Sequence, residues 1–123
     1  MTDSRQTILF VEDDADIRDT LADVLEEDGY TVKSASHGQE ALELLHGGLR
    51  PSLILLDLMM PIMNGWQFRA QQLKEPDLSG IPVVVVSAGA NIEQSAAGLS
   101  AAGFVKKPVV LDTLLNAVRS ALG

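Results

Sequence analysis

Apolar residues fall into five short runs, and the stretches between them repeat every three to four residues. Thr7-Ile8-Leu9-Phe10-Val11 is the first run. From Leu53 to Met60 the chain is apolar except at Asp57, with Pro51 before it and Pro61 after it. Ile81-Pro82-Val83-Val84-Val85-Val86-Ser87 is β-branched almost throughout, and its proline sits near the start, where a strand tolerates it. Gly103-Phe104-Val105-Lys106-Lys107-Pro108 holds the last and shortest run. Runs without alternation predict strands buried on both faces, as in a parallel sheet. Tyr30 to Ala35 alternates apolar with polar, which suits an edge strand.

The intervening stretches read as helices. Ile17, Leu21, Val24 and Leu25 share one helical face, and Gly29 ends that helix. Ala41, Leu42, Leu44 and Leu45 mark a second helix running to Gly47-Gly48, with Ser36 and Gln39 at capping-box spacing before it. A third carries Trp66, Phe68 and Leu73 to about Lys74. Asn91 to Ala102 is a weak fourth, poor in large apolar residues. The last starts near Leu111, with Leu111, Leu114, Leu115, Val118 and Leu122 along one face. Five strands alternating with five helices predict an α/β fold, a doubly wound parallel sheet with helices on both faces. The flavodoxin-like order 2-1-3-4-5 is the natural one for five strands. In that order strands one and three are neighbours, so their carboxyl ends open into one crevice.

Composition narrows the class. A chain of 123 residues suffices for one domain with a true core, spanning 1–123, and its first six residues are expected to be a flexible N-terminus. No apolar run approaches the ~20 residues of a membrane span, and the N-terminus lacks the layout of a signal peptide. Cysteine is absent, which excludes disulfides and thiolate metal sites. A net charge of −8 argues against direct nucleic-acid binding, which needs a basic patch. The expectation is a compact, cytoplasmic domain that touches neither membrane nor nucleic acid.

Candidate chemistry sits at the strand ends. Glu12-Asp13-Asp14-Ala15-Asp16 crowds four carboxylates into five residues, which repel one another unless a cation intervenes. Asp14 and Asp16 fit the start of a helix, where the dipole favours negative charge. Glu12 and Asp13 precede the helix, so capping does not cover them, and a metal or ligand role is expected. Asp57 ends a buried strand and needs a reason to be there. It either caps the next turn or pairs with a lysine, or it meets a ligand beyond the sheet edge. Ser87 ends its own strand and reads equally as a helix cap. His37 and His46 read as surface residues.

These strand-end residues resemble, in order and spacing, those of response regulator receiver domains, of the single-domain chemotaxis type. The resemblance rests on Glu12-Asp13, on Asp57 with Met59-Met60-Pro61 and Asn64-Gly65, on Ser87-Ala88 and on Lys107-Pro108, and it covers essentially the whole chain. It implies that Asp57 accepts a phosphoryl group from a histidine kinase, a histidine phosphotransfer protein or a small-molecule donor. Mg²⁺, or Mn²⁺, would be held by Glu12, Asp13, Asp57 and the Met59 backbone carbonyl. Ser87 and the Ala88 amide would meet the phosphoryl oxygens and Lys107 would pair with the acceptor. Phe104 falls at the aromatic switch position, and Met59 and Gly89 at the positions that tune dephosphorylation. The family's Lys-Pro bond is usually cis, which is expected at Lys107-Pro108. Residues 88–103 hold few large apolar side chains and join Ser87 to Phe104 and Lys107, so the face built from residues 88–122 is expected to bind a downstream protein.

The function expected is a phosphorylation-dependent signalling switch. It would catalyse its own phosphoryl transfer and dephosphorylation without turning over a substrate; with no output domain in these 123 residues, it would act by binding another protein or be a piece of a longer one. One rival is a phosphate-independent pseudo-receiver, against which Asp13, Asp57, Ser87 and Lys107 all speak. The other is a phosphatase of the haloacid dehalogenase type, which wants a second Asp where this chain has Met59.

Overall fold

The computed structural model describes residues 5–123, so most of the N-terminal stretch expected to be flexible lies outside the described residues. The elements in chain order are β1 (Thr7–Val11), α1 (Ala15–Glu27), β2 (Thr31–Ala35), α2 (Gly38–His46), β3 (Leu53–Leu56) and α3 (Gly65–Lys74). They continue with α4 (Pro76–Ser79), β4 (Val83–Ser87), α5 (Ile92–Gly98), β5 (Gly103–Lys106) and α6 (Leu111–Leu122). The five strands form one parallel sheet in the order β2-β1-β3-β4-β5, as the alternation of elements predicts. Every residue of β3 and β4 is buried, because helices cover both faces. Leu9, Val11, Ile54, Leu56, Val83 and Val85 face α2, α3 and α5 through Leu42, Leu45, Phe68 and Ile92. Ile8, Phe10, Leu53, Leu55, Val84 and Val86 face α1 and α6 through Leu21, Leu25, Leu114 and Val118.

The structure departs from the sequence pattern at several places. The apolar run through Met60 is not all strand: β3 stops at Leu56, and Leu58 and Met60 are buried in the loop beyond it. The cap of α2 is His37 rather than Ser36, its Nδ1 accepting from the Glu40 amide at 3.1 Å. Glu40, not Gln39, reaches back to the Ser36 amide at 2.9 Å. A sixth helix, the single turn α4 opened by Pro76, went unpredicted because four residues carry no periodicity. Helix α5 is seven residues long, well short of the stretch 91–102. In α3, Trp66 and Leu73 are exposed, and its inner face is Phe68, Arg69 and Gln72. Leu111 likewise lies outside the buried stripe of α6.

Candidate functional site

Strand register decides which side chains meet. In the β1–β3 pair Val11 lies beside Leu56, so Glu12 and Asp57 emerge side by side. The Asp57 amide bonds to the Val11 carbonyl at 3.0 Å, which extends the pairing one residue past the strands. Across β4 and β5, Ser87 lies beside Lys106, and the Lys107 amide bonds to the Ser87 carbonyl at 2.9 Å. All four strands thus deliver their last residues to one edge of the sheet.

Glu12, Asp13 and Asp57 each offer a carboxylate oxygen there, and these oxygens lie within 4.8 Å of one another. Asp13 is exposed, whereas Glu12 is fully buried and Asp57 is 3% exposed. Lys107 reaches in from the β5 side. Its Nζ donates to Glu12 Oε1 at 2.5 Å and to Asp57 Oδ2 at 3.2 Å, so its shorter contact is with Glu12. The second Glu12 oxygen accepts from the Asp14 amide at 3.2 Å, and Asp57 Oδ1 accepts from the Met59 amide at 3.1 Å. Each carboxylate is therefore held by one backbone donor and the shared ammonium.

Two buried carboxylates on one ammonium leave a net negative charge, and the titration behaviour follows. Burial pushes the Glu12 carboxyl up to about 7, with the nearby Asp57 charge adding to the rise and Lys107 opposing it. Burial pulls the Lys107 ammonium down, but its two acidic partners outweigh that and hold it above its ordinary value. Three carboxylates around a small volume are hard oxygen donors in surplus, the donor set that Mg²⁺ and Mn²⁺ take.

The surrounding chain fixes this geometry. Asp14 caps α1 by accepting from the Asp16 and Ile17 amides, so the helix starts immediately after the acidic pair. Arg18 of α1 donates from Nη1 to the Glu12 carbonyl at 2.8 Å. After Asp57 the chain turns sharply: Ile62 takes φ +68, and the Met63 amide bonds to the Pro61 carbonyl at 2.7 Å. Positive φ is costly for a β-branched residue, and this loop, which follows Asp57, holds one. Asn64 and Gln67 form a capping box at the start of α3. A Cβ on Gly65 would stand 2.6 Å from the Asp57 carbonyl oxygen, so only glycine lets α3 begin this close.

Of the remaining residues singled out by sequence, Ser87 is buried and Ala88 and Gly89 are exposed on the loop that follows it. Met59 is 66% exposed and Phe104 is 38% exposed. The Lys107-Pro108 bond is cis. His37 serves as the α2 cap, and His46 is bonded to Glu75 at 2.9 Å. Sequence reasoning missed Arg18, which holds the Glu12 carbonyl, and the buried pair Arg69 and Gln72. Arg69 and Gln72 had a readable signal: they share a helical face with Phe68, whereas Trp66 and Leu73 do not.

The sequence and the fold both resemble those of known proteins. The chain is 36% identical over 117 residues to the response regulator MprA of Mycobacterium ulcerans (strain Agy99), covering 94% of this chain and 49% of that protein. It thus spans about half the length of the curated relatives it matches. Among solved structures it is similar to the signal receiver domain of a signal transduction histidine kinase from Syntrophus aciditrophicus, at 32% identity and a TM-score of 0.84. That match covers 95% of this chain and 89% of the other. It is also similar to the chemotaxis response regulator CheY4 of Vibrio cholerae, at 27% identity and a TM-score of 0.88, covering 97% and 100%. A family model matches residues 8–119, and by that match the chain belongs to the response regulator receiver domain family, whose members are signalling proteins.

Proposed function

We propose that this chain is a phosphorylation-dependent switch whose phosphoacceptor is Asp57. The observation that carries the reading is Lys107 bridging Glu12 and Asp57 beside Asp13, at the edge where four strands end. A carboxylate oxygen of Asp57 attacks phosphorus, the bond to the donor breaks, and the leaving group departs with its electron pair. With a phosphohistidine donor, a P–N bond is exchanged for a P–O bond, and the imidazole regains its proton from solvent. Such a transition state is loose, so the protein's share is positioning and charge neutralisation.

Glu12, Asp13, Asp57 and the Met59 carbonyl would hold Mg²⁺ or Mn²⁺, which when bound offsets the negative charge of acceptor and phosphate. Lys107 already lies beside Asp57 Oδ2 and supplies a second positive charge from the β5 side. The Ser87 hydroxyl and the Ala88 amide are the phosphoryl-oxygen donors of this reading, and Phe104 responds to the position of Ser87. Met59 and Gly89 flank the path of water to the acyl phosphate. Neither side chain can orient a water, so among these residues hydrolysis is left to Lys107, with added charge neutralisation that a bound metal would supply. The reaction is self-catalysed and stoichiometric.

The donor is a histidine kinase or phosphotransfer protein in the cytoplasm. The receiving partner is a protein that reads the face built from residues 88–122. Incubation with Mg²⁺ and acetyl phosphate is expected to add one base-labile phosphoryl group, and Asp57→Asn to abolish the mass shift. Label that persists undiminished in Asp57→Asn removes Asp57 as acceptor.

A further inference from the structure

Among the described residues, Arg69 is the buried charged residue that the phosphoacceptor chemistry leaves unused. It sits on the inner face of α3 at 5% exposure, with no carboxylate partner among the described residues. A buried charge must be compensated, and arginine cannot shed its proton. Burial pulls its guanidinium below the ordinary arginine value. Its compensation comes entirely from uncharged oxygens. Nε donates to the Leu99 carbonyl at 3.0 Å, Nη2 to the Ser100 carbonyl at 3.2 Å, and Nη1 to Gln72 Oε1 at 2.8 Å. Gln72 is fully buried and extends the network, its amide donating to the carbonyls of Leu78 at 2.9 Å and Ile81 at 3.0 Å.

Leu99 and Ser100 close α5. Leu99 is its C-cap, and Ser100 leaves the helix at φ +54. The last carbonyls of a helix lack intrahelical partners and carry the negative end of its dipole, so a cation is well placed there. The other end of α5 has no such anchor. Asn91 makes no side-chain cap bond, and residues 88–91 are all exposed. Only Ile92 and Ala96 of this helix are buried.

We infer that Arg69 is a latch that pins the C-terminal end of α5 to α3. Movement of the segment after Ser87 then takes the form of a swing of the first turn of α5 about Leu99 and Ser100. The swing rests on the switch reading given above, because the force on residues 88–91 originates at Ser87. The latch itself does not depend on phosphate.

Hydrogen exchange separates the two. In the unphosphorylated protein, Arg69→Met is expected to speed exchange at residues 96–102 by at least about tenfold, leaving β1 and α1 unchanged. Arg69→Lys, which keeps the charge and loses the fork of donors, is expected to fall in between. Wild-type rates at 96–102 in Arg69→Met overturn the latch. So does acceleration spread evenly over the chain, which would mark a general stabilising residue. If Arg69→Met does not fold, a local acceleration in Arg69→Lys supports the latch, and wild-type rates there overturn it. In the wild type with Mg²⁺ and beryllofluoride, the change is expected at 88–95 and not at 99–102. Equal change at both ends overturns the pivot. No change anywhere refutes the switch reading and the swing with it, while the variants still decide the latch.

Discussion

At the scale of single residues, the acidic cluster is a problem in charge placement that Lys107 solves only in part. The ammonium touches both buried carboxylates, yet Glu12 still titrates near neutrality because burial penalises its charged form. The sign follows directly. With its folded pKa raised from 4.5 to about 7, Glu12 keeps a proton that the unfolded chain has released. Across that window this group makes the metal-free fold less stable as pH rises. A cation needs the carboxylate form, so Mg²⁺ affinity is expected to climb as pH rises through 7. Glu12→Gln removes the titrating group, and calorimetry on either side of pH 7 is expected to find that dependence flattened. An affinity that climbs as steeply in Glu12→Gln assigns the titration elsewhere. The residues of this cluster were legible in the sequence, because Glu12 and Asp13 precede the helix that a cap would serve and Asp57 ends a buried apolar run. The shorter Lys107 contact, to Glu12 rather than Asp57, was not, since it depends on ångström-scale placement across 95 residues of chain.

At the scale of elements, α3 shows how a helix can be tied to a site without contributing a ligand. Its first residue, Gly65, donates to the Leu58 carbonyl at 3.0 Å and lies against the backbone that carries Asp57. Gly65→Ala places a methyl 2.6 Å from the Asp57 carbonyl oxygen and 2.8 Å from Leu58 Cα. Leu58 Cδ2, at 2.7 Å, can turn aside, but the backbone of Asp57 and Leu58 cannot, so overpacking is expected to cost about 1–3 kcal/mol. Urea titration reads that as a lower midpoint, and acetyl phosphate labelling is expected to slow as the loop shifts. A midpoint equal to wild type would show that α3 can move aside freely. The inner face of this helix was misread because Trp66, Phe68 and Leu73 drew attention as its apolar residues. The core in fact accepts Arg69 and Gln72, whose polar groups find partners on α5, α4 and the approach to β4. The length of α5 was also misjudged: with only Ile92 and Ala96 buried, packing adds too little to carry a short helix past Gly98.

At the scale of the whole molecule, two apolar layers sandwich the sheet, and the functional groups collect at its carboxyl edge. The chain carries a net charge of −8, and part of that excess is concentrated in the acidic cluster. A divalent cation that binds the folded chain and not the unfolded one shifts the unfolding equilibrium by mass action. At a hundredfold excess over its Kd the gain is about 2.7 kcal/mol. Saturating Mg²⁺ is therefore expected to raise the thermal midpoint by several degrees, since about 1 kcal/mol moves Tm by roughly 4 °C in a domain between the small and the mid-sized class. Asp13→Asn is expected to lose most of that rise while unfolding near the wild-type temperature without metal. An equal Mg²⁺-induced rise in both proteins takes Asp13 out of the site.

Sequence alone determined the alternation of strands and helices, the buried character of β3 and β4, and the edge position of β2. These are properties of local periodicity, and period-two and period-3.6 patterns survive in one dimension. It also showed Glu12, Asp57 and Ser87 standing where apolar runs end, with Asp13 beside Glu12, while the role of Lys107 came from the resemblance to receiver domains. Tertiary structure alone decided what those residues touch. Register set Glu12 beside Asp57, and close approach of backbones made Gly65 obligatory. The burial of Arg69 became affordable only where α5 turned its last carbonyls inward. Such facts depend on groups far apart in the chain meeting at hydrogen-bond distance, and no local pattern encodes a distance.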